Sequence, residues 1–158
     1  MKIARACAWV CDIPVLQPRT DAVQSFLSQE TIFVELMTTD GTRGRGYSYT
    51  IGTGGSAVLA LLEDYLLAKP NGLDAAYPEE IWRYLFNHCR SVLGGPVTAL
   101  ALAAIDTAVW DARAKALERP LFELAGGALS VSFVSTYPPV QRALCSPTSP
   151  VSGASRPG

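Results

Sequence analysis

Residues 2–13 alternate in character. Ile3, Cys7, Trp9, Cys11 and Ile13 share one parity, with Arg5 as the exception, and Ala4, Ala6, Ala8 and Val10 share the other. A period of two is that of a strand, with one bulky and one small-residue face. Pro14 and Pro18 then interrupt the ladder, so residues 14–28 (PVLQPRTDAVQSFLS) are expected to form a loop. Alternation resumes at Thr31–Thr38, with Ile32, Val34 and Leu36 as the core face. Asp40-Gly41 is a hairpin signal. The third strand, Arg43–Tyr49, sets Arg43, Arg45, Tyr47 and Tyr49 on one face. Thr42, Gly44, Gly46 and Ser48 take the other, which lets another element pack close to the backbone.

The period then lengthens. Residues 50–55 (TIGTGG) read as a flexible connector, since their glycines lack the spacing and the Lys-Ser/Thr of a phosphate loop. Ser56–Lys69 is an amphipathic helix stopped by Pro70. Pro78 opens the next, with Glu79 and Glu80 where the helix dipole favours acids. Its apolar face is Ile81, Trp82, Leu85, Phe86 and Cys89, and His88 beside it reads as a surface or hydrogen-bonding histidine. The longest periodic segment begins after Gly94-Gly95 with Pro96 and ends at Arg119-Pro120. Ala104, Ala108, Ala112 and Ala116 make a methyl stripe at i, i+4, widened by Val97, Leu100, Ala101 and Ile105. Asp111 and Lys115 form a favourable outward pair. Asp106 and Asp111 lie about 140° apart around the axis and share no face. Strands first and helices afterwards give an α+β fold, a three-stranded antiparallel meander followed by a helical bundle.

Composition narrows the classes. The chain has 158 residues, 49% hydrophobic and 17% charged, with a formal net charge of −1. These values describe one globular domain with a modest core. Nucleic acid is not expected as a partner, because no basic stripe is present. No membrane span is expected either, since Glu63-Asp64 and Asp106 interrupt the two apolar candidates. Arg5 and Asp12 argue against a signal peptide, so a cytoplasmic location is expected. Cys7 and Cys11 are too far apart along one strand to bridge. Cys7, Cys11 and Cys89 are expected as buried thiols and Cys145 as exposed.

The run Ala-Leu-Ala-Ala-Ile-Asp-Thr-Ala-Val-Trp-Asp-Ala-Arg-Ala-Lys, then Arg-Pro-Leu-Phe-Glu-Leu-Ala-Gly-Gly, resembles a signature of the mandelate racemase and muconate lactonizing enzyme family. This is a branch of the enolase superfamily. The resemblance spans residues 1–128 and implies the family's N-terminal capping domain, in which two loops close over a barrel and help select the substrate. By position those loops are residues 14–28, carrying Gln17 and Arg19, and residues 48–55, with Tyr47, Tyr49 and Thr50 at or beside them. Gly46-Tyr47-Ser48-Tyr49 is similar to a Gly-His-Ser-Tyr stretch of mandelate racemases, which makes Tyr49 the foremost substrate-facing candidate.

The resemblance also implies chemistry that these residues do not supply. Family enzymes remove the proton α to a carboxylate with a Lys or His base, while Mg²⁺ stabilises the enediolate. Those groups sit on an eight-stranded barrel of roughly 200 residues or more. Residues 129–158 are rich in Ser and Pro, with room for one strand at Leu129–Thr136 and the remainder expected to be disordered. No acid follows Glu123, no lysine follows Lys115 and no histidine follows His88. The barrel domain is therefore expected to be absent, and no catalytic residue and no metal ligand is assigned. Mg²⁺ and a sugar-acid or other carboxylate substrate belong to the full-length family. Two origins fit: a truncated or frame-shifted product that is inactive, or a short interaction module that pairs, with itself or with a barrel, through the exposed barrel-facing surface. The abrupt loss of acids favours the first.

Overall fold

The computed structural model describes residues 1–127 apart from Gln24, Leu93 and the side chain of Arg19. The expected strand at Leu129–Thr136, the rest of the tail and Cys145 lie outside the described residues. The chain begins with three strands, β1 (Ile3–Thr20), β2 (Ser25–Thr38) and β3 (Arg43–Thr50), paired antiparallel in the order β1-β2-β3. Helices follow among the described residues: α1 (Gly55–Leu61), which runs on as one π-helical turn over Leu62–Leu66, then α2 (Pro78–His88), a 3₁₀ turn over Arg90–Val92, α3 (Pro96–Ala116) and the single turn α4 (Leu121–Leu124). This is the expected α+β meander followed by helices.

One face of the sheet is the core. Ile32, Val34 and Leu36 of β2 are fully buried, flanked in register by Val10, Ala8 and Ala6 of β1 and by Ser48, Gly46 and Gly44 of β3. The small residues on β1 and β3 let helices approach a sheet whose bulk comes from its central strand. Ile3 reaches the same core because the register shifts between Ile3 and Arg5, which exchanges the parity of the strand. The other face carries a row of rings: Trp9 stacks on Phe33 at 5.6 Å, and Phe33 meets Tyr47 at 6.2 Å. Beside them Glu35 pairs with Arg45 at 2.8 Å and with Arg43 at 3.4 Å.

Helix α3 lies along β3, and the seam shows why its signature is rich in alanine. A methyl on Gly44 would stand 2.7 Å from Ala112 Cβ and closer still to the Ala108 carbonyl oxygen. One on Gly46 would meet the Ala104 carbonyl oxygen and the Ala108 nitrogen inside van der Waals range. The glycines expected to admit another element thus admit the alanine stripe. The stripe is shorter than the sequence suggested: Ala104, Ala108 and Ala112 are buried, whereas Ala116 and Val97 are exposed. A helix of 21 residues outruns a strand of eight, about 31 Å against 26 Å.

Asp111 and Lys115 also do more than pair with each other. Asp111 Oδ2 accepts a hydrogen bond from Lys115 Nζ and one from the Arg45 backbone N–H at 2.8 Å, and Lys115 Nζ donates to the Arg43 carbonyl at 3.0 Å. β3 is an edge strand, and these two side chains occupy edge groups that would otherwise be open to a second sheet.

Several expectations need correction. The segment 14–28 is not a loop: β1 continues through both prolines to Thr20 and β2 starts at Ser25. β1 is the other edge of the sheet, where a proline's missing donor is tolerated. A register shift between Pro14 and Arg19 takes up the extra residues. On α2, Ile81, Leu85 and Cys89 are buried as expected, but Trp82 and Phe86 are not; they stack on each other at 5.0 Å in partial exposure. Cys7 is exposed, because β1 turns its small-residue face inward, and Cys11 is buried but is not among the free thiols.

Candidate functional site

The register of the sheet brings the two candidate segments to one end. Thr50, the last residue of β3, pairs with Glu30, and Glu30 in turn pairs with Asp12 of β1. Beyond that row, β2 pairs in the sheet with β1 alone, as far as Ser25, so the β1–β2 hairpin overhangs the end of β3. The connector 51–54 leaves from the same edge and rejoins the body at Gly55. Gly52 has φ +71° and Gly54 has φ +97°, the left-handed region that favours glycine, so this short connector turns without side-chain strain.

Gln17 is exposed in β1, between Pro14 and Pro18. The backbone of Arg19 pairs with Phe26; its side chain lies outside the described set. Tyr47 and Tyr49 both project from the outer face of β3, at 57% and 49% exposure. Tyr47 completes the Trp9–Phe33 ring row, which gives it a packing role there. Tyr49 lies one step nearer the connector, opposite Thr31. Thr50 faces the other way, and its hydroxyl donates to Glu30 Oε2 at 2.7 Å. The structure therefore gathers the overhanging hairpin, Tyr49 and the connector at one end of the sheet, but divides Tyr49 from Thr50 between its two faces.

Glu30 is the residue that the sequence pattern did not single out. Its Oε2 accepts from Thr50 Oγ1 and also from the Gly55 N–H at 3.0 Å, the two ends of the connector. The Thr50 hydroxyl, and after it the Gly55 N–H, hold this carboxyl below the usual range. The only available signal was an acid on the inward parity of a strand, next to Ile32.

His88 bonds through Nδ1 to the Tyr84 carbonyl at 2.9 Å, in keeping with the hydrogen-bonding reading. Asp106 is raised by partial burial and then by Glu79. Among the described residues, no three His, Cys, Asp or Glu side chains come together in a way that could hold a metal ion. The described residues therefore do not fit a Mg²⁺ site. None of the described helices is long and apolar enough to cross a membrane.

The family model for the mandelate racemase / muconate lactonizing enzyme N-terminal domain matches residues 4–126. The chain belongs to this family. As a member of the mandelate racemase / muconate lactonizing enzyme family, it is similar to a 3,6-anhydro-α-L-galactonate cycloisomerase of Streptomyces coelicolor. The two are 32% identical over 116 residues, 73% of this chain and 32% of the relative. Among solved structures it resembles a racemase from Streptomyces coelicolor with bound magnesium. There the TM-score is 0.76 and the identity 31%, over 80% of this chain and 36% of the other. It also resembles an L-talarate dehydratase from a Polaromonas species, complexed with Mg and L-glucarate. That match has a TM-score of 0.74 and 25% identity, over 80% of this chain and 35% of the other. The chain spans about a third of the length of these relatives.

Proposed function

We propose that residues 1–127 act as the cap of an acid-sugar dehydratase, racemase or cycloisomerase, with the overhanging hairpin and the 50–55 connector facing a carboxylate substrate. The observation that carries this reading is the gathering of those two segments at one end of the sheet, in a chain whose family match is to an N-terminal domain. The dehydratase complexed with Mg and L-glucarate supports the choice of a polyhydroxylated acid. In this reading the described residues select and enclose. The base that takes the α-proton and the ligands of the cation are supplied by a barrel, and this chain alone is inactive.

Purified chain, mixed with Mg²⁺ and a panel of sugar acids and α-hydroxy acids, is then expected to give no turnover. A chimera that joins residues 1–127 to the barrel of the talarate dehydratase should turn over, with a substrate profile altered from that of the parent enzyme. Turnover by the chain alone, or a chimera whose profile does not move, overturns the reading.

A second reading rests on exposed apolar side chains. Trp82 and Phe86 on α2, and Leu117, Leu121 and Phe122 near α4, are each about 40–50% exposed. They support an interaction module that pairs through exposed apolar side chains. Light scattering decides it: a dimer that Trp82→Ser and Phe122→Ser dissolve favours pairing with a second copy, and a monomer without exposed-patch dye binding rejects it.

A further inference from the structure

Glu30 stands where β2, β3 and α1 meet. One oxygen, Oε2, takes both the Thr50 hydroxyl and the Gly55 N–H, at 2.7 and 3.0 Å. The side chain lies flat on Gly55: a methyl added there would stand 2.9 Å from Glu30 Cβ and 2.9 Å from its carboxyl carbon. The connector leans on the hairpin a second time, since a methyl on Gly52 would stand 3.1 Å from Ser28 Oγ. Thr50 and Gly55 are thus the two posts of the connector, and both are tied to the strand that forms the hairpin.

We infer that Glu30 is a positioning residue that locks the 50–55 connector onto the β1–β2 hairpin, so that the two segments move as one unit. Two independent loops would each lose conformational freedom on enclosing a ligand. Joined through one carboxylate, they share that cost, and a shift in the hairpin reaches the connector directly. The lock itself needs no substrate. Its effect on a substrate rests on the capping role proposed above, and the two can fail separately.

The ionised form makes the stronger lock, because a carboxylate accepts both bonds with charge assistance, whereas a neutral carbonyl oxygen takes the same two bonds more weakly. The titratable group that the register sets beside it is Asp12 of β1. Residues 55–61 of α1 contain no titratable side chain, and β3 presents Thr50.

Hydrogen exchange and amide shifts of the whole chain test this by NMR. In wild type the Gly55 amide resonance should move with pH as Glu30 titrates. In Glu30→Gln, whose carbonyl oxygen can take the same two bonds, the resonance should stay in place and be flat with pH. Glu30→Ala should speed exchange at Gly55, and at Ala57 and Val58 just beyond it, about tenfold or more, the scale of one lost charge-assisted bond. Val34 and Leu36 in the central strand should be unaffected, and Thr50→Val should give a smaller local loss. If Glu30→Ala does not fold, the Glu30→Gln titration decides alone. The lock is overturned by a Gly55 resonance that titrates equally in wild type and Glu30→Gln, by unchanged exchange at Gly55 in Glu30→Ala, or by acceleration equal to that of Val34.

Discussion

The two ends of β3 are held in opposite ways. Near its start, Gly44 and Gly46 press against α3 with no side chain between the two backbones. At its end, Thr50 and the connector are tied to β2 through a carboxylate. The first junction is made by leaving atoms out and is stiff, because the atoms it meets are backbone. The second is made by a polar side chain at a partly exposed site, and can be released without disturbing the core. A cap needs both kinds of junction, a rigid body and an end that can adjust.

The widest gap between the two ends should appear when a single methyl is added. Gly44→Ala forces Cβ onto the Ala108 carbonyl, which cannot rotate away. Overpacking of this kind costs about 3 kcal/mol or more when no side chain can yield. Gly41→Ala is the control, since nothing lies near its Cβ and only its φ of +87° is offended, a cost of about 1–2 kcal/mol. Urea unfolding of the two variants should separate them by at least that difference. Equal midpoints would mean that the seam is looser than its geometry.

Asp111 comes next, because it serves the stiff seam with a polar group. Asp111→Ala strips the cap from the Arg45 N–H and the partner from Lys115. About 1–2 kcal/mol should be lost, discounted for a site open to solvent. Exchange at the Arg45 amide should rise in step. Lys115→Met removes the bond to the Arg43 carbonyl but leaves Asp111 on the strand, so its loss should be smaller.

The seam was legible in the sequence and the tie was not. Gly44, Gly46 and the alanine stripe could be read because a missing side chain is a property of the residue itself. Asp111 and Lys115 were visible only as neighbours on one helix, since their strand partners lie 66 and 72 residues away. The candidate site suffered in the same way. Pro14 and Pro18 read as breakers because a strand does not declare that it will be an edge. Tyr47 and Tyr49 share a parity, yet only the register shows that one completes a ring row and the other stands nearer the connector. Nothing in the alternation around Ile32 told that Glu30 would reach two groups 20 and 25 residues on.

Acid should loosen the tied end before the seam. Glu30 has a folded pKa below its unfolded value, first through the Thr50 hydroxyl and then through the Gly55 N–H. Its contribution is therefore present above the unfolded value of about 4.3 and is lost as pH falls through the lower folded value. Asp40, held low by the Thr38 hydroxyl and then by the Thr42 N–H, adds a second loss in the same window. Asp106 opposes both: its raised pKa penalises the folded state when it is ionised, and that penalty disappears as pH falls. Glu30→Gln should flatten the decline in stability below pH 5, whereas Asp106→Asn should steepen it. Identical slopes in wild type and Glu30→Gln would deny the carboxylate its role.

The smallest effect is expected between the two ends, at Ser48. It is the third inward position of β3 after Gly44 and Gly46, 6% exposed, opposite Ile32. Its hydroxyl is buried and has no hydrogen-bond partner among the described residues. A buried hydroxyl in that state has lost its water and gained nothing in return. Ser48→Ala removes the oxygen and leaves the β-carbon in place, so little packing is lost. Stability should stay within about 0.5 kcal/mol of wild type and lean towards a gain. A loss beyond about 1 kcal/mol would show that the hydroxyl is bonded after all. Ser48 would then belong with Thr50 at the polar end, and the glycine seam would stop at Gly46.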